Sequence, residues 1–430
     1  MKRIVESKKA EIEVVKTLIH ISATGARGEE ITSLQIDWPL VFQFAVEQGV
    51  VSLVALTVLH SPGLQCPEEL RESILNILRV ECSTNLVRKQ QVLHLVDRLI
   101  DAGIKAKILK GYAVAENYAC PESRSSVDTD LLIDAKQEKK ALRFFAADGF
   151  RITPRVATSH HSICYHKKYG KIELHVSLYN ELVESVWFQE VDETDLIQEE
   201  PITIQTMEGK FATLGYTDHL IFIILHMVKH FIIGGLTLRM MLDVTLYFSK
   251  NKEKIDAIRL WSILDRLHYS QLVNCVLWLM ILYGGFQKMD FPGCATYAPE
   301  QIPLLLNDLI QGGYMGVKEM EIRYASSMEY SRQLMLKSRS SLEYQLFMLR
   351  YKARSARKHM FLSPNEIREI YPKASQYVGL MPILFVYHAF AYPITKMRAG
   401  VLKRDIRLQF DEISQESQMR LDVFRKLGML

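Results

Sequence analysis

Cysteine is sparse in this chain and net charge is sparser. Cys66, Cys82, Cys120, Cys164, Cys275 and Cys294 include no CxxC pair. That excludes the usual zinc-ribbon and dithiol motifs, and in a chain this long the six read as free thiols of a reducing compartment. A formal net charge of +4 over 430 residues is too small for a protein that coats nucleic acid. The first residues, Met1-Lys2-Arg3-Ile4-Val5-Glu6, hold no apolar run of the kind that makes a secretory signal, so a cytoplasmic protein is expected. There is no internal repeat or low-complexity tract, which sets aside solenoids and long disordered linkers. No serine or cysteine stands beside a recognisable catalytic partner, and a hydrolase triad has no basis here.

What is present is an ordinary folded composition, 48% hydrophobic and 24% charged, at a length that implies two or three domains. From residue 6 to 88 apolar side chains recur at helical spacing, with Asp37 placed as an N-cap, Pro39 in a first turn and Gly49 as a stop. Residues 86–102 give another amphipathic helix, with Val92, Leu95, Val96 and Leu99 on one face. The pattern then changes. Short strand-like runs at 106–109, 127–133, 161–166 and 171–178 alternate with helical stretches from Gly111 through Tyr118 and over 136–148. Past Tyr216 the chain is helical again, at 218–233, 236–249, 256–269 and 272–283, with 331–359 as one long helix carrying a basic, solvated face. The expected class is α+β: a small mixed-sheet domain over 89–215, flanked by helical regions at 1–88 and 216–430.

One segment invites a membrane reading. Residues 377–394 carry no formal charge and lead into Lys396, Arg398, Lys403, Arg404 and Arg407. Eighteen residues barely cross a bilayer, and Pro382 and Pro393 interrupt a helix. A buried helical hairpin is the leading expectation, with peripheral membrane contact through 377–407 kept open beside it.

The chemistry concentrates around Asp128 and Asp130. Residues i and i+2 on a strand share a face, so these two carboxylates repel unless a cation lies between them. Mg²⁺ held by one or two carboxylates and substrate phosphates is the usual resolution. Glu173, set between Ile172 and Leu174, offers a third acid if its strand lies beside the first. Three carboxylates that hold two metals clamp the attacking and leaving oxygens of an in-line displacement. His175, two residues on, shares the face of Glu173. Upstream, Lys110-Gly111 ends a short strand; glycine lets backbone approach a phosphate, and Lys110 and Arg124 can add charge. His226, Lys229 and His230 fall on one face of a helix and can reach a phosphate or an acceptor; the two histidines fit a core role as well. Arg239 and Asp243, four apart, are an expected ion pair. His160, His161, Cys164, His166 and His175 match no standard zinc spacing, and on a strand His161 and Cys164 face opposite ways.

A strand, a glycine turn, an Asp-x-Asp strand and a later strand with one acid resemble the nucleotidyltransferase superfamily of the polymerase-beta type. More closely, the stretch is similar to a bacterial family of uncharacterised nucleotidyltransferases. The residues that carry the similarity are Leu109-Lys110-Gly111, Arg124, Asp128-Thr129-Asp130 and Ile172-Glu173-Leu174-His175, with Leu225-His226-Met227-Val228-Lys229-His230 and Leu238-Arg239-Met240-Met241-Leu242-Asp243 downstream. It spans roughly residues 36 to 250. The resemblance implies Mg²⁺-dependent transfer of a nucleoside monophosphate from a nucleoside triphosphate such as ATP to an unidentified acceptor, with release of pyrophosphate. Asp128, Asp130 and Glu173 would then be the catalytic acids and the ligands of a two-metal site. Lys110, Gly111, Arg124, His175, His226, Lys229 and His230 would bind the nucleotide. Tyr112 departs from the superfamily, whose turn usually reads Gly-Ser or Gly-Gly. That departure favours the alternative, a catalytically inactive nucleotidyltransferase-like protein that binds or regulates.

Overall fold

The computed structural model describes residues 2–155, 160–179, 187–188, 191–296, 299–311, 326–327, 329–334, 382, 384, 387 and 418–430. Met1–Arg323 with Asp422–Leu430 form one compact unit and Tyr324–Leu421 a second. Most of the helix expected at 331–359 and of the apolar segment at 377–394 lies outside the described residues.

The first unit opens with four helices: α1 (Lys2–Arg27), α2 (Trp38–Glu47), α3 (Val51–His60) and α4 (Glu68–Asp101). Asp37 caps α2 as expected, its carboxylate accepting from the Leu40 amide. Gly25 lets α1 cross α3 closely, since a Cβ there would stand 2.0 Å from the Leu53 carbonyl oxygen. Helix α4 starts far upstream of its expected beginning because no glycine or proline interrupts residues 68–101. Residue 88, the expected end of the helical region, therefore lies inside α4. Its last three turns present Val92, Leu95, Val96 and Leu99 to the sheet.

The sheet is built from β1 (Ala106–Ile108), β2 (Asp128–Ile133), β3 (Arg151–Thr153), β4 (His161–His166) and β5 (Gly170–His175), in the order β1-β2-β5-β4-β3. Pairing is antiparallel except between β2 and β5, which run parallel. The one-turn α5 (Tyr112–Ala115) follows β1, and α6 (Glu138–Ala147) lies in the crossover from β2 to β5. Alternation gives the sheet two unlike faces. Leu131, Ile133, Cys164, Ile172 and Leu174 enter a core with Ala141, Phe145 and the inner face of α4. Asp128, Asp130, Glu173 and His175 occupy the other face.

After the short α7 (Glu193–Leu196) comes a hairpin, β6 (Ile202–Gln205) with β7 (Lys210–Thr213). It is absent from the sequence-based expectation, although Ile202-Thr203-Ile204-Gln205 alternates and Gly209 marks its turn. It is fastened to the main sheet by Thr213 Oγ1, which donates to the Ile108 carbonyl at 2.6 Å. Five α-helices follow among the described residues up to 311: α8 (Tyr216–Ile233), α9 (Leu238–Asn251), α10 (Ala257–Arg266), α11 (Ser270–Gly284) and α12 (Ile302–Gln311). Helix α11 packs back onto α1, so the helices on either side of the sheet in sequence meet in space. Among the described residues α8 alone is long and apolar enough to cross a membrane, and 72% of it is buried within the fold. All six cysteines are free.

Helix α8 is pinned to the end of β1 by the fully buried His219, whose Nε2 donates to the Leu109 carbonyl. Burial pushes this imidazole down to about 4, against a smaller upward pull from that hydrogen bond. Unfolded, the ring titrates near its ordinary 6.5, so between those values the unfolded chain binds the extra proton. The stabilisation is complete above 6.5 and is lost as pH falls towards 4. Urea unfolding at pH 7 and pH 5 is expected to show lower stability at pH 5. His219→Gln should remove about 2 kcal/mol of that difference; an unchanged difference would refute the assignment.

Candidate active site

Parallel pairing sets Asp130 directly beside Glu173 and Asp128 beside Lys171, with His175 next to Leu132. The third acid thus joins the first two, as the sequence anticipates. Asp130 is 1% exposed, whereas Asp128, at the first residue of β2, is open to solvent along one side. Ligand atoms of Asp130, Glu173 and His175 all lie within 4.8 Å of one another. Two carboxylates and an imidazole at this spacing are a donor set that fits a metal ion.

Three side chains of the protein balance these acids. Lys110 Nζ stands 3.0 Å from Asp130 Oδ1, and His175 Nε2 donates to the same oxygen at 2.9 Å. Lys171 Nζ is 2.5 Å from Glu173 Oε1 and 3.4 Å from Asp128 Oδ2. Burial alone would raise the carboxyl of Asp130, but the Lys110 charge and the His175 hydrogen bond bring it down to about 2. Glu173 is likewise raised by burial, yet the hydrogen bonds from His175 and Lys171 hold it well below the usual carboxylate range. Burial works against a charged His175, and its bonds to Asp130 and Glu173 outweigh that and raise it. Asp130 and Glu173 are therefore ionised at neutral pH. Lys171 is not among the residues expected from sequence, although it lies two before Glu173 and so shares its face.

Gly111 sits at φ +61°, and a Cβ there would meet Ser126 Oγ at 3.2 Å, so glycine is required at the turn. The helix after it is shorter than expected. Only Tyr112–Ala115 is helical, and the Asn117 side chain donates back to the Val114 carbonyl at 3.0 Å where the turn ends. One turn has little aligned dipole to offer a phosphate. Tyr112 puts its ring into the core among Leu131 and Ile133, leaving backbone at the turn. The hydroxyl nearest the turn belongs to Ser126, which no sequence motif singles out.

Asp243 pairs with Arg124 rather than with the expected Arg239. Arg124 Nε and Nη2 reach the two carboxylate oxygens at 2.6 and 2.7 Å, and Tyr118 donates its hydroxyl to Oδ1 at 2.7 Å. Arg239 Nη1 donates instead to the Ser125 carbonyl at 2.7 Å. The geometry explains the exchange: the segment before β2 runs along α9, and a buried planar fork matches a carboxylate better than a helix neighbour does. Arg124 thereby braces the wall of the site.

Helix α8 brings His226 to the acids, its ring nitrogens each 3.5 Å from Lys110 Nζ. His230 stacks edge-on against it, centroids 4.5 Å apart. Burial, then the charges of Lys110 and Lys229, push His230 down to about 3. Burial and Lys110 likewise hold His226 far below its ordinary value. Both rings are neutral at pH 7, so they offer hydrogen bonds rather than charge.

Two recesses meet at Lys110 and His226. One, of about 500 Å³, is lined by Gly111, Arg124, Ser126, Asp128, Asp130 and Arg239. The other, of about 540 Å³, is walled by Glu173, His175 and Lys229 together with Tyr179, Phe188 and Phe222. Every sequence-predicted site residue except His230 lines one or both.

A family model described as an uncharacterised nucleotidyltransferase matches residues 35–284, which hold the acid cluster and both recesses. No curated protein and no solved structure matches the chain.

Because Arg124 and Asp243 are both buried, removing one strands the charge of the other. Asp243→Ala is expected to lower unfolding free energy by about 3–5 kcal/mol in urea titration. A loss below about 1 kcal/mol would show that the pair does not brace the site.

Proposed function

The chain belongs to the family of uncharacterised nucleotidyltransferases, and from that premise we propose that it is a Mg²⁺-dependent enzyme of nucleoside monophosphate transfer. An acceptor oxygen bonds to the α-phosphorus of a nucleoside triphosphate, the bond from that phosphorus to the bridging oxygen breaks, and pyrophosphate leaves with the bonding pair. The observation that carries this reading is the register of β2 against β5, which puts three carboxyl side chains on one face beside two recesses. Asp128, Asp130 and Glu173 would hold Mg²⁺, two ions being the expected complement. When bound, the metal neutralises charge on the phosphates and on the leaving oxygen.

The protein's own groups divide the remaining work. The recess with Gly111 and Ser126 sets Lys110, Arg124 and Arg239 among Asp128, Asp130 and Asp243, and the planar fork of Arg239 suits a triphosphate. Lys110 lines both recesses and can follow the phosphates. Glu173, at the edge of the second recess, either completes the metal shell or takes the acceptor's proton. His226 and His230, neutral, orient rather than neutralise, and Lys229 supplies a charge from the helical side. The sheet domain thus carries the reaction and the helices after residue 216 shape the acceptor side.

A second reading has one specific observation in its favour. Each of the three acids already has a lysine partner, Lys110 or Lys171, as in a nucleotidyltransferase-like module that binds or regulates without turnover. Incubation with each nucleoside triphosphate labelled at the α-phosphate, in Mg²⁺, separates the two. Transfer is expected, with Asp128→Asn and Glu173→Gln each slowing it on the order of 10²–10³-fold. Nucleotide binding without transfer from any triphosphate would sink the enzyme reading and leave the binding module.

A further inference from the structure

Strand β4 runs antiparallel to β5 and lays His161 opposite His175. His160 precedes β4, and its carbonyl accepts from the Val176 amide at 3.0 Å, which fixes it against the end of β5. Three imidazoles therefore close into a triangle, with ring centroids 4.7, 5.0 and 5.0 Å apart. One ring nitrogen from each lies within 4.8 Å of the other two. His160 is 7% exposed and His175 3%. The Nδ1 atoms of both are buried and have no hydrogen-bond partner among the described residues.

A dry ring nitrogen with no partner costs about 1–3 kcal/mol, so two of them side by side need a reason. Stacking of neutral rings explains their proximity but satisfies neither nitrogen. The other face of His175 is more informative. Its Nε2 is engaged by Asp130 at 2.9 Å, with Glu173 Oε2 at 3.6 Å. A carboxylate on one nitrogen fixes the orientation of the ring and turns the opposite nitrogen away from it, which is how metal-bound histidines are held.

We propose that His160, His161 and His175 form a site for a borderline transition-metal ion such as Zn²⁺, adjoining the oxygen-lined Mg²⁺ site through His175 and backed by Asp130 and Glu173. Imidazole nitrogen selects such ions, whereas carboxylates suit Mg²⁺. Tetrahedral zinc needs its nitrogens about 3.4 Å apart, within reach of small side-chain rotations from the present spacing. Three protein ligands leave a fourth position, and His160 and His175 both line the larger recess onto which it would open. The proposal does not depend on the transfer reaction.

The test is titration of the metal-free full chain with Co²⁺ in saturating Mg²⁺, read by calorimetry and by the visible absorption of nitrogen-ligated cobalt. One equivalent should bind, and Zn²⁺ should displace it. His160→Ala and His161→Ala should each weaken binding at least about tenfold, and Asp130→Asn about 10–100-fold as an outer-shell change. Asp128→Asn should leave it within about twofold, since that residue touches none of the three rings. Should His160→Ala fail to fold, His160→Gln, checked by circular dichroism, gives the same comparison. Cobalt that excess Mg²⁺ removes, or that survives both histidine changes, would overturn the proposal.

Discussion

When β2 and β5 run side by side in the same direction, their charged positions cannot avoid each other. Asp130 meets Glu173 and Asp128 meets Lys171, while the alternate residues of both strands are committed to the core. Slipping either strand by one residue would bury the acids and expose Leu131, Ile133, Ile172 and Leu174. The apolar face therefore enforces the charged one. Burial of the core and assembly of the acid cluster are one event, and the lysines and His175 make that event tolerable by neutralising like charges as they converge.

A second constraint acts from the helices. The segment that leads into β2 is held to α9 by Arg124, Asp243 and Tyr118, and α8 is held to the end of β1 by His219. Both ties join residues more than a hundred positions apart. They place the mouths of the two recesses between sheet and helices, so neither part owns the site alone.

How much of the fold and the site is legible in the sequence divides along physical lines. Local alternation and helical spacing can be read directly: Asp128 and Asp130 share one face of their strand, Glu173 and His175 share one face of theirs, Asp37 caps a helix, and His226, Lys229 and His230 align. The three acids join on paper only under the condition that their strands be neighbours. Register between distant strands has no local signature, and for that reason the meeting of His160 and His161 with His175 is not legible, whereas Lys171, two before Glu173 on the same strand, could have been read. Arg239 is the natural partner for Asp243 by helical spacing, and tertiary packing brings in Arg124 from 119 positions away. The continuity of α4 is legible, since no breaker stands within it, but the change in pattern near Leu86 draws attention to its second half. Tyr112 looks like a substrate-side oddity in one dimension. In three it is a core residue whose side chain leaves the turn to backbone.

Lys110 has a consequence of another kind. It is bonded to Asp130, lies against His226 and belongs to the walls of both recesses. An anion entering one recess competes with Asp130 for this single ammonium, and whatever charge Asp130 loses it must recover from another cation. The two recesses are thus linked in free energy as well as in space. By reciprocity, occupancy of either one changes the affinity of the other by the same factor. A lysine on a flexible stem can turn its point charge towards either recess, where the planar fork of an arginine would hold to one geometry.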